Sequence, residues 1–344
     1  MAINENIKFG TTLNAPIDTA PALAERKRRS IGNSILLVLV AIAAVAPFVL
    51  QGFIVFQLTM VFVYAIAIMG LNLLTGFNGQ FSLGHSAFFA IGAYTAAILM
   101  DQFSVPYYLT LPIAGVIAFA AGFLFGLPAL RLESIYLALA TFALAVAMPQ
   151  FLKLTPLEHW TGGVQGVLVL KPDPPFGLPI SQDQWLYLFT LTVGLLLYLA
   201  ARNLIASRTG RAIQAIRDNP IAARAMGVNI SLYKTLTFGV SALYTGIAGA
   251  LSAIVIQFVS PDSFTLVLAV ALLVGLVIGG VGWLPGALVG GAFILFVPNI
   301  AEGVSKGLSG AVYGIILLLI IYLVPSGAGG LLLKTVQYFN RRRK

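Results

Sequence analysis

The stretch GLNLLTGFNGQFSLGHSAFFAIGAY, residues 70–94, stands out in a chain that otherwise consists mostly of Leu, Ile, Val, Ala and Phe. Its polar residues include Asn72, Asn78, Gln80, Ser82, His85 and Ser86, and its glycines include Gly70, Gly76, Gly79, Gly84 and Gly92. Apolar runs on both sides are long enough to form membrane helices. Because non-helical backbone near a membrane must be satisfied by protein or by a water-filled cavity, we interpret residues 75–82 as a broken connection between two spans.

The composition of the whole chain is that of a membrane protein. Of its 344 residues 59% are hydrophobic and 9% are charged, and the mean hydropathy is +0.96. Soluble domains contain about a quarter charged residues. We therefore predict an all-α polytopic membrane protein that forms one bundle. The absence of cysteine from the sequence excludes a disulfide framework, thiolate metal sites and a thiol nucleophile.

Apolar windows separated by polar residues predict about ten transmembrane helices. They cover residues 35–50, 54–75, 82–100, 105–127, 133–153, 185–201, 232–257, 264–281, 284–300 and 310–325. The first and the ninth are short for a bilayer about 30 Å thick, so eight or nine spans remain an alternative.

The basic residues predict the orientation of these spans. With a cytoplasmic amino terminus, only Lys153, Lys171 and Lys306 of the 20 basic residues fall on the external side. The predicted parts are a cytoplasmic tail over residues 1–30, a transmembrane domain over 31–334 and a basic cytoplasmic tail over 335–344. The net charge of +9 is placed between spans and at the termini, which argues against nucleic acid as a partner.

The first span also resembles a secretory signal, because the basic residues 26–29 precede the apolar run ILLVLVAIAAVA. The polar residues 1–30 ahead of it and Pro47 directly after the supposed cleavage point favour an uncleaved span.

Residues 155–184 form a predicted external loop that is rich in Pro and Gly. Such a loop either caps the outer mouth or contacts an external partner, or else it is a simple connector.

A predicted cytoplasmic segment, residues 202–231, contains two short helices. Ile213 and Ile216 share one face of the first, which is amphipathic. Asn219 is expected to be the N-cap of the second, and Gly227 its C-cap. A rigid pair of this kind suits either docking of another protein or contact with anionic lipid.

Residues 221–227, IAARAMG, resemble the Glu-Ala-Ala-x-x-x-Gly loop of ATP-binding-cassette importer permeases, which that family inserts into a cleft of its ATPase. Ile221 replaces the glutamate, so the role of that acid is not carried over. Longer strings resemble the membrane subunits of branched-chain amino acid importers, in particular the second, longer permease of the pair; urea and amide permeases are close relatives. These strings are residues 70–94, 131–146, 161–167, 210–251 and 275–293, and the similarity covers residues 54–325.

This resemblance implies an importer permease fold in the bacterial inner membrane. It implies as partners a homologous second permease, two cytoplasmic ATPase subunits, an external solute-binding protein and membrane lipid. The sequence contains no Gly-x-x-x-x-Gly-Lys-Ser/Thr string, so the chain is not expected to be an enzyme or to hold a cofactor. ATP and Mg²⁺ are expected on the partner ATPase. Docking on that ATPase is expected to involve Arg211, Ala215, Arg217, Asp218, Ala222, Ala223 and Gly227.

Four residues of the opening stretch are candidates for the translocation path, namely Asn72, Asn78, Gln80 and His85. Buried amides are costly in a bundle unless they bond each other, water or solute, so a path role and a structural role both stay open. For His85 the alternative is a satisfied buried ring. The small residues after position 84 are expected to allow close helix packing, with Ser82 as the N-cap of that helix.

A weaker echo of this stretch occurs later in the chain. Gly279, Gly282, Gly286 and Gly290 bridge two predicted spans on the same side of the membrane. The match is too short to establish an internal duplication.

The leading interpretation is the permease subunit of an ATP-driven importer of branched-chain or related amino acids, with urea or short amides as alternative solutes. An ion-coupled secondary transporter belongs to a different class, and the lack of ionisable residues deep in the predicted spans argues against proton coupling. A passive channel also stays open. Strict dependence of transport on ATP would exclude both of these alternatives.

Overall fold

The computed structural model describes residues 38–129, 134–177, 179–304, 309–323 and 327–330. The predicted tails, residues 1–30 and 335–344, lie outside the described residues. The chain divides into two units, Met1–Val49 and Leu50–Lys344. Of the first unit, the structure describes one apolar helix, α1, Val38–Val49.

The second unit is built almost entirely from helices. They are α2 Gly52–Leu71, α3 His85–Asp101, α4 Tyr107–Ala129, α5 Ser134–Leu152, α6 Glu158–Thr161, α7 Gln182–Ala206, α8 Arg208–Asp218, α9 Pro220–Ala225, α10 Ile230–Ile256, α11 Leu266–Gly279, α12 Gly286–Val304 and α13 Ser309–Leu323. Short 3₁₀ turns cover Thr155–Leu157, Pro175–Gly177 and Pro261–Phe264. Two strands, β1 Val167–Leu168 and β2 Phe258–Val259, pair antiparallel.

Helix α10 occupies the centre of this unit and packs against α2, α3 and α4. In its most apolar window 78% of the residues are buried, compared with 11% for α7. The close crossing of α3 and α10 depends on glycine, because a Cβ at Gly92 would collide with the backbone of Gly246. A Cβ at Gly249 would likewise collide with the Phe89 carbonyl. These contacts confirm a packing role for Gly92 and agree with the small-residue interfaces typical of membrane bundles.

Each of the ten predicted spans contains a helix, but not every helix has the length of a membrane span. Within the part of the chain that the structure describes, six helices combine sufficient length and hydropathy: Gly52–Phe77, Tyr107–Pro128, Ile135–Leu152, Gln182–Ala206, Ile230–Ile256 and Gly286–Gly303. Helices Val38–Val49 and Leu266–Gly279 are apolar but shorter. The all-α polytopic membrane architecture is therefore confirmed, whereas the number of ten spans stays a prediction.

The connection between α2 and α3 differs from the prediction in two respects. The helix of α2 continues as a π-helix over Asn72–Phe77, so the break begins at Asn78. Helix α3 begins at His85, after Gly84, so the prediction of Ser82 as its N-cap is wrong. The Ser82 hydroxyl instead lies 3.3 Å from the Gly84 N–H and 3.2 Å from His85 Nδ1, where it closes a turn ahead of the helix.

The predicted external loop is attached to the bundle through the β1–β2 pair at the far end of α10. Lys153 and Asp262 form an ion pair at 2.6 Å beside it, and Lys171 pairs with Asp183 at 2.5 Å. A pocket of about 360 Å³ lies next to the β1–β2 strand pair and is lined by residues that include Asp101, Trp160 and Phe258.

Candidate coupling site

Helix α8 is an amphipathic helix capped at its first turn. The Ser207 hydroxyl accepts a hydrogen bond from the Gly210 N–H at 3.3 Å. Ile213 and Ile216 are buried, as the sequence pattern predicts, while Arg211 and Ala215 are exposed. The buried face packs against α7 and α10, so α8 lies along one end of the bundle.

The turn from α8 to α9 is built from local side-chain and backbone hydrogen bonds. Asn219 Oδ1 accepts from the N–H groups of Ile221 and Ala222, both at 3.0 Å, with Pro220 in the first turn of α9. This confirms Asn219 as the N-cap, since an Asn side chain satisfies the N–H groups that a helix start leaves unpaired.

The end of α9 has the geometry of a Schellman motif. The Val228 N–H donates to the Ala223 carbonyl at 3.0 Å, and the Gly227 N–H donates to the Arg224 carbonyl at 3.0 Å. Gly227 has φ +81°, a left-handed conformation that glycine adopts without steric cost. Met226 is the C-cap residue and Gly227 follows it, so the predicted C-cap is off by one position, although Gly227 ends α9 as the left-handed glycine of the motif. Both ends of the α8–α9 pair are thus capped.

The tip of the α8–α9 pair exposes apolar side chains. Ile221 is 82% exposed and Met226 is 84% exposed. Ala222 and Gly227, two of the predicted docking residues, lie exposed beside them, whereas Ala223 is buried at 4%. Ala223 therefore supports the tip from beneath. The exposed tip is small and held by its caps, and it presents the apolar Ile221 and Met226 beside the exposed Arg224, which suits contact with another molecule.

Arg217, predicted as a docking residue, is partly exposed and also contacts the bundle. Its Nη1 donates to the Gly76 carbonyl at 3.0 Å, and its Cγ lies against Gly79. Its Nε and Nη2 donate to Asp218 Oδ1 at 3.0 and 2.9 Å. The exposed carboxylate of Asp218 therefore orients the guanidinium, and Arg217 joins α8 to the end of the π-helical segment.

Asn72 lies in that π-helical segment and is 1% exposed. Its Nδ2 donates to the Trp283 carbonyl at 3.1 Å, and its Oδ1 accepts from the Gly282 N–H at 2.8 Å. One side chain thus bonds the connection between α11 and α12, residues 280–285. The two glycine-rich regions of the sequence lie side by side, and the amide of Asn72 holds them together.

Asn78 and Gln80 satisfy the α2–α3 connection locally. Asn78 Nδ2 donates to Gln80 Oε1 at 3.0 Å, the Gln80 N–H donates to the Leu74 carbonyl at 3.1 Å, and the Thr75 hydroxyl donates to the Gln80 carbonyl at 3.0 Å. Asn78 Oδ1 is buried without a hydrogen-bond partner among the described residues. Both amides therefore have a structural role in closing this turn.

His85 lies in a chain of buried hydrogen bonds. The Ser241 hydroxyl donates to the Gly70 carbonyl at 2.6 Å, so at 2.7 Å it accepts from His85 Nε2. His85 Nδ1 is then free to accept from the Ser82 hydroxyl. Both ring nitrogens are satisfied in the neutral form and the residue is 1% exposed, which favours the structural alternative for His85. A path role for Asn72, Asn78, Gln80 and His85 stays a prediction.

Comparison with known proteins decides the family. Residues 53–321 match the sequence model of the family described as branched-chain amino acid transport system, permease component. The chain belongs to this permease family. The resemblance drawn from the sequence motifs is thereby confirmed, and the family match contains all the residues of the α8–α9 pair and of both glycine-rich connections.

Curated relatives of this permease include the high-affinity branched-chain amino acid transport system permease protein LivM of Salmonella typhimurium and that of Escherichia coli K12. Each is 34% identical over 270 residues, which cover 72% of this chain and 63% of the relative. The matched region thus spans less than two thirds of the LivM proteins. The corresponding permease protein LivH of Escherichia coli K12 is 23% identical over 290 residues, covering 78% of this chain and 91% of LivH. No solved structure matches the permease significantly.

Sequence reasoning missed the residues of this permease that receive the predicted side chains. Gly76, Gly282 and Trp283 supply backbone groups to Arg217 and Asn72. Ser241 and Thr141 supply hydroxyl groups to His85 and to the Leu83 N–H. Glycines at both connections gave a partial signal of close approach, but nothing in the sequence indicated that these two connections meet.

Proposed function

We propose that this chain is a transmembrane permease subunit of an ATP-binding-cassette importer and forms part of the translocation path for branched-chain or related amino acids. The family match and the names of its LivM and LivH relatives support the proposal. The chain matches both kinds of permease protein, which supports a pairing of this subunit with a homologous second permease. Two ATPase subunits that bind ATP and Mg²⁺, and a solute-binding protein, complete the proposed transporter.

The observation that carries the proposal is the α8–α9 pair. Its caps fix the tip, the tip exposes Ile221 and Met226, and Arg217 connects the pair to the bundle. A docking element that transmits force needs these three properties together. A flexible loop would absorb the motion of a partner, and a pair without a connection to the bundle would not pass the motion on.

The proposed mechanism is alternating access between two conformations. Closure of the ATPase subunits moves the α8–α9 pair, the bundle rearranges, and the solute delivered at the opposite face is released. In this proposal the α8–α9 pair and both termini are cytoplasmic, and the membrane is the bacterial inner membrane. The positive-inside pattern of the sequence supports this orientation.

The proposal is tested by solute uptake into vesicles that contain the chain with its partner subunits. Labelled leucine and labelled urea are compared with and without internal ATP, and with and without the binding protein. We expect uptake of leucine that requires ATP. ATP-dependent uptake of urea alone would replace the solute class, and uptake that ignores ATP would overturn the importer in favour of a secondary transporter or a passive channel.

A further inference from the structure

Three segments that are distant in the sequence meet at the end of the bundle that carries α8. They are α8 itself, the π-helical segment Asn72–Phe77 and the connection of residues 280–285 between α11 and α12. Five residues join them by hydrogen bonds. We name this group the latch: Arg217, Gly76, Asn72, Gly282 and Trp283.

The latch bonds the segments through directional contacts. Arg217 Nη1 reaches the Gly76 carbonyl at 3.0 Å, which is a charge-assisted bond to a backbone acceptor. Asn72 uses its acceptor and one donor on adjacent backbone groups of Gly282 and Trp283, at 2.8 and 3.1 Å. Apolar helix contacts can slide with little change in free energy, whereas a displaced hydrogen bond of a buried amide leaves polar groups unpaired.

The latch also lacks space for independent movement. A Cβ at Gly76 would collide with Asn72 Oδ1 and would lie 2.6 Å from the Gly282 nitrogen. Gly282 itself has φ +79°, and Arg217 Nη1 lies 3.9 Å from the position of a Cβ there. The backbones of the π-helical segment and of the 280–285 connection are thus in direct contact with the side chains of Asn72 and Arg217.

The latch residues that belong to α2 lie in the π-helical segment that ends this helix, Asn72–Phe77. A π-helical turn is rare, and it is found mostly as a single turn inside α-helices at functional sites. Asn72 and Gly76 lie four positions apart in the same π-helical segment, where the Asn72 side chain bonds the 280–285 connection and the Gly76 carbonyl accepts from Arg217 of α8. A displacement of α8 therefore acts on both ends of this turn.

We propose that Asn72 and Arg217 are positioning residues that make α8, the π-helical segment and the 280–285 connection move as one body. This inference rests on the proposed function, in which the α8–α9 pair receives the motion of the ATPase. It assigns Arg217 to transmission within the chain instead of docking, and Asn72 to transmission instead of contact with solute. Motion at α8 reaches α2 through Gly76 and reaches α11 and α12 through Asn72.

The first experiment measures the distance between α8 and the 280–285 connection in the assembled transporter. Because the sequence contains no cysteine, spin labels at Gln214→Cys and Val281→Cys are the only labelled sites on this chain. We expect one narrow distance distribution that is the same with and without ATP. In Arg217→Gln and in Asn72→Leu the distribution should broaden without nucleotide and shift when ATP is added.

Two variants serve as matched controls. Arg208→Gln removes a positive charge from the exposed start of α8, and no Arg208 bond to the 72–80 region occurs among the described residues. Thr59→Val removes a buried hydroxyl of α2 that, among the described residues, bonds only the Val55 carbonyl of its own helix. Both should keep the unsubstituted distance distribution. The inference is overturned if Arg217→Gln and Asn72→Leu keep it as well, in both nucleotide conditions.

The second readout is the amount of solute taken up per ATP hydrolysed. We expect Arg217→Gln to lower this ratio about fivefold or more at unchanged assembly, the scale of a coupling between two sites. In the Arg217→Gln, Asn72→Leu double variant the uptake per ATP hydrolysed should be no lower than in the poorer single variant, because both substitutions interrupt the same path from α8 to α11 and α12. Additive losses would contradict the latch. If the unsubstituted transporter shows no ATP-dependent uptake, the proposed function fails, while the nucleotide-free distances still decide whether the three segments form one body.

Discussion

The two glycine-rich connections satisfy their backbone groups in different ways. The α2–α3 connection, residues 78–84, contains Asn78, Gln80 and Ser82, and it closes largely on its own side chains and on the adjacent helix ends. The 280–285 connection, GVGWLP, has no amide or hydroxyl side chain of its own. It depends on Asn72, which lies 210 positions away from Gly282. The hydrogen bonds of a polar connection can thus be predicted from its own residues. An apolar connection in a membrane protein needs a polar side chain from elsewhere in the chain, and its own residues do not indicate which one.

The largest expected effect comes from filling the contact between the π-helical segment Asn72–Phe77 and the 280–285 connection. Gly76→Ala places a Cβ where Asn72 Oδ1 lies, so the amide must leave Gly282 or the backbones must separate. We expect a loss of about 3 kcal/mol in the free energy of unfolding, measured by detergent denaturation, because overpacking and lost hydrogen bonds combine.

Gly52→Ala is the control for this substitution. Gly52 begins α2 and has no heavy atom within 4 Å of a Cβ, so the change should be nearly neutral. If Gly76→Ala were equally neutral, the π-helical segment and the 280–285 connection would not be in the contact described.

A smaller effect is expected where the start of α3 contacts α10. Ser241→Ala removes the hydroxyl that accepts from His85 Nε2 and leaves that buried N–H unpaired. We expect a loss of about 2 kcal/mol in the free energy of unfolding. Thr245→Val, which removes a hydroxyl that bonds only the Ser241 carbonyl on the same helix, should cost clearly less. Equal losses would show that His85 is not held as described.

These effects separate what the sequence predicts from what it does not. The N-cap at Asn219 was predicted correctly and the C-cap to within one residue, because the groups that these residues satisfy lie close along the chain. The apolar helices were also predicted, because their hydropathy is a property of consecutive residues. The bond from Asn72 to Gly282 was not, since it depends on how α2, α11 and α12 pack. The hydrogen bond from Arg217 to the Gly76 carbonyl was not predicted either, because the sequence pattern of a short helix does not show which of its arginines contacts the bundle.

The smallest expected effect is local and lies outside both connections, in the turn from α8 to α9. Asn219→Ala removes the N-cap of α9, which is worth about 1 kcal/mol. Hydrogen exchange at the Ile221 and Ala222 amides should therefore accelerate about fivefold, since that free energy is a factor of this size in an equilibrium constant.

Exchange at Gly282 should not change in Asn219→Ala, because the latch lies outside α9. Asn219→Asp, which keeps the acceptor oxygen, should restore slow exchange at Ile221 and Ala222. A parallel acceleration at Gly282 would mean that the cap and the latch belong to one cooperative unit.

The most direct test of the central claim, that the α8–α9 pair couples ATP hydrolysis to transport, compares two substitutions at Gly227. Gly227→Ala and Gly227→Leu share the strain of φ +81°, and the space around the position is open within the described residues, so they differ mainly in the bulk presented to a partner. We predict normal assembly for both, with uptake per ATP hydrolysed much lower in Gly227→Leu than in Gly227→Ala. Equal ratios in the two variants would contradict docking of this tip on an ATPase.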